Sequence, residues 1–386
     1  MASVIRYGSS RLFSSVETSP SVLRSITLVN DVEFGFSVNR TRVKSIGYNK
    51  ILSRSLTSSN PVVSFSYYLS DLDNEELFSL NTTSSKSIIS KRPLFEDPQP
   101  VDLAFVTDEK GRDFKSLKVS DHPDVNICLI TNCYIQSYSF NLDSTGLIIV
   151  SVTFSGDDIL FKTFKNLSGY SVLEIDSEDN ELTNQNAFLI NDGIEELTSN
   201  IGGGYVGQKI KSFGFQANLP YKTLFDFGQT FHRKKINHPF ETNISMTAFV
   251  DSFFEGKLSN IFCNDKTNDF IITNKRLECG GVSFNEKSGM VFKGAELTSE
   301  KYKKGIGSFL EAELTFSLYT SKTCGVYFSQ HVQSSELLAG ENSSVIKNIL
   351  LEDSSSGDSR VVTEAILDML TSLKDFKDND ACTLIN

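Results

Sequence analysis

The chain has 386 residues and 39% hydrophobic side chains, and its formal net charge is −11. This length predicts two domains, each large enough to bury its own core. The acidic balance argues against tight nucleic-acid binding, which needs a basic face to neutralise phosphates, and no stretch approaches the roughly 18 apolar residues that span a bilayer.

Composition and cysteine usage favour a reduced, mainly β protein. Ser, Thr, Asn, Val, Ile and Phe dominate, and apolar and polar residues alternate repeatedly, which is the pattern of half-buried strands. The predicted fold class is therefore mainly β (α+β). Six scattered cysteines without a CxxC pair indicate reduced thiols in a protein folded in a cytoplasm.

The first 20 residues are rich in Arg and Ser, and we expect a retained N-terminal arm. Residues 1–60 hold eight basic and three acidic residues, whereas the rest of the chain holds 29 basic and 45 acidic ones. Such asymmetry suits a polymer in which a basic segment meets an acidic neighbour. The alternative is that both are ordinary solvated surface.

A first β domain is predicted at 21–165 and a second at 209–330, with the same order of features. In the first domain these are a strand at 25–29 leading to Phe34-Gly35-Phe36, a basic loop at 40–54, a strand opened by Asn60-Pro61 and a helix at 72–80, with a loop-like insertion at 86–125. In the second they are a strand at 211–215 leading to Phe225-Asp226-Phe227, a basic loop at 232–235, a strand opened by His238-Pro239 and a helix at 249–261.

Each domain then contains a hairpin, and the two hairpins look like copies of one unit. Residues 129–155 and 291–317 align over 27 positions without a gap, and both end in Thr-Phe-Ser. Self-similarity at a long spacing indicates a repeated structural unit. Each second strand has one apolar and one polar face, so the polar face is either outer surface or the lining of an aqueous channel.

The remaining segments are a linker at 166–208 and a C-terminal tail at 331–386. Gly202, Gly204 and Gly207 match G-x-G-x-x-G, but a strand-like run follows them instead of a helix, so we interpret them as linker. In the tail, Val362 and Ile366 begin an apolar stripe at helical spacing. That helix docks either on its own domain or on a partner.

No pattern of residues predicts catalysis, a metal site or a cofactor site. The four histidines lack the HExxH spacing of zinc proteases, no G-x-S-x-G elbow occurs, and the acidic clusters lack the order of a calcium loop. We therefore expect no enzyme activity and no cofactor.

Two tandem β domains with these Pro-preceded strands and paired hairpins resemble the tail-tube proteins of long-tailed bacteriophages, in particular the duplicated tube subunit of some siphophages. The resemblance covers about 250 residues. It implies a β-sandwich or barrel-like domain, homotrimeric rings with pseudo-sixfold symmetry, and stacking of the rings into a tube for DNA passage. It also implies a structural virion protein, assembled in the cytoplasm of a bacterial host, that contacts other tail proteins and no membrane.

On this resemblance, basic residues become candidates for ring-to-ring contacts and polar strand residues for the channel lumen. The ring-contact candidates are Arg40, Arg42, Lys44, Arg233, Lys234 and Lys235. The lumen candidates are Ser151, Thr153, Glu311 and Glu313, and we expect an acidic lumen that does not hold DNA. The alternatives are an adaptor or baseplate protein at one tube end and a receptor-binding β protein of a virion.

Overall fold

Strands make up most of the residues that the computed structural model describes, which confirms the mainly β class. It describes residues 10–16, 19–44, 51–69, 72–83, 93–111, 124–143, 148–166, 172–174, 210–224, 233–249, 268–277, 284–304, 310–321 and 325–329. These contain one α-helix, α1 (Asp73–Leu77), and one 3-10 turn, Phe164–Asn166. Within these residues no helix is long and apolar enough to cross a membrane.

The strands in the described ranges are numbered in chain order. They are β1 (Ser10–Val16), β2 (Ser19–Ser25), β3 (Val29–Lys44), β4 (Ile51–Tyr68), β5 (Thr82–Thr83), β6 (Val101–Thr107), β7 (Asn126–Asp143), β8 (Ile149–Ser155), β9 (Asp158–Thr163), β10 (Val172–Glu174), β11 (Ile210–Asn218), β12 (Tyr221–Leu224), β13 (Arg233–Ile236), β14 (Phe240–Phe249), β15 (Asn268–Leu277), β16 (Phe284–Lys303), β17 (Glu311–Thr320) and β18 (Val326–Ser329).

Eight of these strands form one continuous antiparallel sheet, which we call the long sheet. Their order across it is β3-β4-β8-β7-β11-β14-β17-β16. A second group, β10-β2-β1-β6, joins the long sheet through the first half of β7. Strands from both predicted domains are therefore hydrogen-bonded to each other in one sheet.

Strands β7 and β16 each change partners halfway along. In β7, residues 126–133 pair with β6 and β9, whereas residues 134–143 pair with β8 and β11. In β16, the first half pairs with β15 and β18 and the second half with β17. The change occurs beside a left-handed residue in both strands, Asn132 (φ +54°) and Gly294 (φ +84°).

Both predicted hairpins are present, and their registers coincide. Ile135 lies opposite Phe154 and Leu297 lies opposite Phe316, and an irregularity follows at once in each ladder. Asn132 and Gly294 also occupy the same position of the gapless alignment. The long sheet thus consists of a first unit, β3-β4-β8-β7, and a second unit, β11-β14-β17-β16, with matching pairing.

One apolar core lies behind the long sheet and includes side chains of both units. Alternating residues of β8 (Val150, Val152 and Phe154) and of β17 (Ala312, Leu314 and Phe316) are buried, as their apolar faces predicted. The ring of Phe154 is stacked on Phe65 with centroids 5.8 Å apart and meets the edge of Phe78 at 5.4 Å. The core therefore fixes which face of each strand is turned inward.

The two prolines predicted to open strands differ in position. His238-Pro239 directly precedes β14, as predicted. Asn60-Pro61 does not open a strand, because β4 begins at Ile51 and Pro61 lies inside it. Pro61 is tolerated because β8 ends opposite Val62, so the missing N–H falls where that ladder stops, and the Pro61 carbonyl still accepts from Gly156 N–H.

Several predicted loops are strands. The basic segment 40–54 continues the β3–β4 hairpin as far as the Lys44–Ile51 pair. The insertion 86–125 contains β6, and part of the predicted arm forms β1, which pairs with β6. The predicted strand at 25–29 is divided between β2 and β3. The segment of the first unit that corresponds to 211–215 is therefore the start of β3 and not 25–29.

Helix α1 is a five-residue helix inside the segment 72–80 that was predicted to be helical. Phe249 is the last residue of β14, and the rest of the second predicted helix lies outside the described residues, as do the glycines at 202–207 and the tail helices. The predicted domain boundaries stay predictions.

Truncation of Phe154 tests the importance of the shared core. We expect Phe154→Ala to lower the free energy of unfolding by about 3–5 kcal/mol, since it leaves a cavity between Phe65 and Phe78. Phe161→Ala, at a ring that is 65% exposed on β9, is the matched control and should cost far less. Equal losses in chemical denaturation would contradict this packing.

Candidate functional site

The outward face of the long sheet carries rows of polar side chains. It is built by period-2 alternation, because every strand that buries one residue turns the next outward. Short uncharged side chains form rows across neighbouring strands. One row runs from Ser66, which is itself buried, through Ser151, Ser139, Gln216 and Asn243. We call this surface the polar face.

Two of the lumen candidates lie on strand β8 within the polar face. Ser151 is exposed and Thr153 is half-buried. The Thr153 hydroxyl is 3.1 Å from the hydroxyl of Ser64 on β4, and Ser139 Oγ donates to the Ser151 carbonyl at 3.5 Å. These hydroxyls bond to their neighbours across the strands, so the surface offers short polar groups without charge.

The other two lumen candidates, Glu311 and Glu313, lie on β17 and have lysine partners. Lys211 Nζ of β11 is 2.7 Å from Glu311, and Lys301 Nζ of β16 is 3.7 Å from Glu313. Both pairs are partly exposed and each contributes under about 1 kcal/mol. In the folded chain both carboxylates therefore have a cation partner. The sequence did not reveal these partners, because the strand register was unknown.

Basic residues of both units lie in two-stranded extensions. Arg40, Arg42 and Lys44 belong to the end of β3, where it pairs with the start of β4. Arg233, Lys234 and Lys235 lie in β13, which pairs with β12, and Lys235 is exposed. The six ring-contact candidates thus fall into two sets on separate hairpins.

A buried carboxylate lies behind the long sheet, and the sequence did not reveal it. Glu75 of α1 is fully buried and accepts hydrogen bonds from the hydroxyls of Tyr67 on β4, at 2.5 Å, and Tyr138 on β7, at 2.9 Å. The available signal was the position of Glu75 three residues after Leu72, which places both on one face of the predicted helix. Because the group is enclosed, its role is to anchor α1 to the two strands.

The enclosure of this centre changes the acidity of both tyrosines. Burial, reinforced by the nearby Glu75 carboxylate, raises the pKa of Tyr67 and of Tyr138 well above the usual value near 10. Burial also raises the pKa of the Cys128 thiol to about 11. Cys128 and Cys133 are both free thiols, as predicted, and Cys128 is poorly disposed to react as a thiolate.

The described residues contain no group of three or more His, Cys, Asp or Glu side chains that could hold a metal ion. His238, one of the two histidines flanking the second basic segment, lies with Nε2 3.0 Å from the carbonyl of Glu96.

Comparison with known proteins leaves the family of the chain open. No protein-family model matches the sequence, and neither does any curated protein. Among solved structures, the SPP1 tail tube, determined by solid-state NMR and cryo-EM, is similar at 12% identity and a TM-score of 0.28. The match covers 47% of this chain and 88% of the tail-tube chain. A score this low does not establish a shared fold.

The buried tyrosines predict a loss of stability in alkali. As pH rises past about 10, the unfolded chain releases its tyrosine protons before the folded chain does, so the free energy of unfolding falls. Tyr67→Phe removes one of these protons, and we expect a shallower fall between about pH 9.5 and 11.5 in denaturation measurements. The lost bond to the buried Glu75 carboxylate should cost about 1.5–3 kcal/mol at neutral pH.

Tyr319→Phe is the control for this experiment, because Tyr319 is 49% exposed on β17. It should keep the wild-type stability at neutral pH. An unchanged alkaline slope in Tyr67→Phe would show that the raised pKa of this hydroxyl does not contribute.

Proposed function

We propose that the chain is a structural subunit of a phage tail tube, which assembles as stacked rings around a channel for double-stranded DNA. The observation that carries this proposal is the long sheet, in which two units with matching register stand side by side. A repeated unit that already joins its own copy edge to edge has the geometry of a ring component. On this reading the two units are duplicated domains, and no enzyme activity is involved.

Ring closure also accounts for the ends of the long sheet. Open sheet edges are a liability, and closing a sheet on itself removes them. Three chains would contribute roughly two dozen strands, which at about 4.8 Å per strand and a tilt near 40° give a backbone diameter on the order of 45–50 Å. Such a ring has room for a DNA duplex and pseudo-sixfold symmetry.

The polar face supports a lumenal position for Ser151, Thr153, Glu311 and Glu313. Hydroxyl and amide groups keep a channel wet, and DNA must pass without being held. Because the two glutamates are accompanied by Lys211 and Lys301, weak binding would come from a lack of free positive charge, not from an acidic wall.

The basic hairpin extensions support contacts between stacked rings. Arg40, Arg42 and Lys44 on one extension and Arg233, Lys234 and Lys235 on the other provide six cations per chain. The rest of the chain is strongly acidic, so electrostatic attraction between successive rings would favour stacking and would weaken with salt. Other tail proteins would contact the ends of the tube.

Negative-stain microscopy of the purified protein tests the proposed function. Hollow tubes about ten nanometres across are expected for rings of about six domains of this size. Discrete particles at all salt and protein concentrations would contradict the tube and favour a receptor-binding role. Short stacks that grow only in the presence of another tail protein would favour an adaptor at one tube end.

Charge reversal on the first extension tests the stacking surface. We expect Arg40→Glu combined with Arg42→Glu to abolish long tubes while rings still form, since the change places like charges between rings. Lys162→Glu combined with Lys165→Glu makes the same charge change on exposed residues of β9 and the 3-10 turn, and it should leave tube length unchanged. Normal tubes from the first variant would rule out this surface.

Lysine substitution on β17 tests the lumen. With Glu311→Lys and Glu313→Lys, the two new lysines would join Lys211 and Lys301 in a cluster of four cations. Assembled tubes should then retain fluorescent duplex DNA that wild-type tubes release. Glu311→Gln with Glu313→Gln controls for loss of the ion pairs alone and should retain far less DNA. Equal retention by all three proteins would place these residues away from the channel.

A further inference from the structure

The joint between the two units of the long sheet has a defined register. Strand β11 pairs with the second half of β7, from Ser212 opposite Asp143 to Asn218 opposite Ser137. On the core side, the rings of Phe215 and Phe140 lie opposite each other with centroids 5.6 Å apart. On the polar face, Gly214 lies opposite Asn141. We call this contact the internal joint.

The two ends of the long sheet are the counterparts of the strands in this joint. In the second unit, Gly214 of β11 begins a row that continues through Ser245 and Thr315. In the first unit, Glu33 of β3 begins the matching row through Ser64 and Thr153. Strand β3 is therefore the counterpart of β11.

The other partner of the joint has a counterpart at the opposite end. Asn141 lies opposite Ile149 in the first hairpin, and Lys303 lies opposite Glu311 in the second, at the same aligned position. The second half of β16 is therefore the counterpart of β7. Within the described part of the chain, β3 pairs only with β4, and residues 296–303 of β16 pair only with β17.

We propose that β3 of one chain pairs antiparallel with the second half of β16 of another copy, in the register of the internal joint, so that Glu33 lies opposite Lys303. This inference deepens the proposed function and rests on it, since it names the surface through which neighbouring subunits join. The partner is a second copy of this chain, and the contact is heterologous, so it builds rings or open arrays instead of closed dimers.

Charge on the two edges supports this pairing. The described edge of β3 carries Asp31 and Glu33, both exposed, whereas the end of β16 carries the exposed lysines Lys301, Lys303 and Lys304. Pairing β3 with a second β3 would instead bring acidic residues together, which is unfavourable. Electrostatics therefore favours β3 against β16 over the symmetric alternative.

The apolar side of the same edge supports it too. Phe36 on β3 is 57% exposed. Phe34, two residues earlier on the same strand, packs on Phe105 with the ring centroids 5.3 Å apart. In the proposed register Phe34 lies opposite Tyr302, just as Phe215 lies opposite Phe140 in the internal joint. Burial of the Phe36 ring between chains would remove one of the largest exposed apolar side chains from water.

A charge exchange tests the register. Glu33→Lys and Lys303→Glu, made separately, each place like charges opposite each other, and we expect a roughly tenfold or larger rise in the concentration at which half of the chains associate. The combined variant restores opposite charges and should restore association. Sedimentation of the full chain measures this, with Glu76→Lys combined with Lys162→Glu as a control at exposed positions away from both edges.

Cysteine cross-linking fixes the pairing directly. In the proposed register, Glu33→Cys combined with Lys303→Cys should give a disulfide between copies under mild oxidation, identified by mass spectrometry of the linked peptides. Glu33→Cys combined with Lys301→Cys is the control displaced by two residues on the same face, and it should cross-link several-fold less.

The outcomes separate this inference from the proposed function. The joint is overturned and the tube stands if the wild-type chain forms tubes but the variant with Glu33→Cys and Lys303→Cys does not cross-link. The same holds if the combined charge variant fails to associate although its fold is intact. Cross-linked oligomers that never form tubes would support the joint and overturn the tube. A chain that stays monomeric at every concentration would overturn both.

Discussion

Backbone hydrogen bonding between β7 and β11 is the contact on which the rest of this structure depends. It is the point where the two units of the long sheet meet, and it satisfies the polar edge of both strands. Without it, the chain would expose two more strand edges and divide the apolar layer that contains Phe140 and Phe215. The joint therefore turns two four-stranded units into one surface with a single polar face.

The bends in β7 and β16 allow each unit to take part in two sets of strand pairs. Asn132 and Gly294 adopt left-handed conformations, which Asn and Gly tolerate better than other residues. Asn132 is also fixed by its backbone N–H, which donates to the carboxylate of Asp102 at 2.7 Å. Because each strand changes partners at such a point, its second half stays in the long sheet. The first half of β7 pairs with β6, and the first half of β16 pairs with β15.

The sequence predicted the two hairpins but not the internal joint between β7 and β11. Alternation in β8 and β17 predicted which side chains are buried, because burial on one face imposes a period of two. The register between β7 and β11 could not be predicted, since it depends on residues far apart in the chain and on the small Gly214. A side chain there would press against Ser245 and Asn141, with a Cβ only 2.6 and 2.8 Å from their oxygens.

Other features of the site were hidden for the same physical reason. Lys211 and Lys301 are unremarkable in the sequence, and only the strand register brings them to Glu311 and Glu313. The basic segment 40–54 was predicted as a loop because it is rich in basic residues, whereas pairing across the hairpin keeps it extended. Local pattern therefore predicted strands where apolar residues alternate clearly and missed one in which basic residues are concentrated.

The two units share their pairing but differ in what holds them, and this difference bears on assembly. Tyr67 and Tyr138 enclose Glu75 in the first unit, whereas Ala248 and Glu300 take the aligned places in the second.

The two strands of the internal joint belong to one chain, so they meet at a high effective concentration. A joint between chains has no such advantage and must be selected by its own contacts. At the proposed joint between chains, Glu33 takes the place of Gly214 and Lys303 takes the place of Asn141. A charged pair at this position favours the correct partner and orientation more than it adds affinity, which is what a repeating, heterologous contact requires.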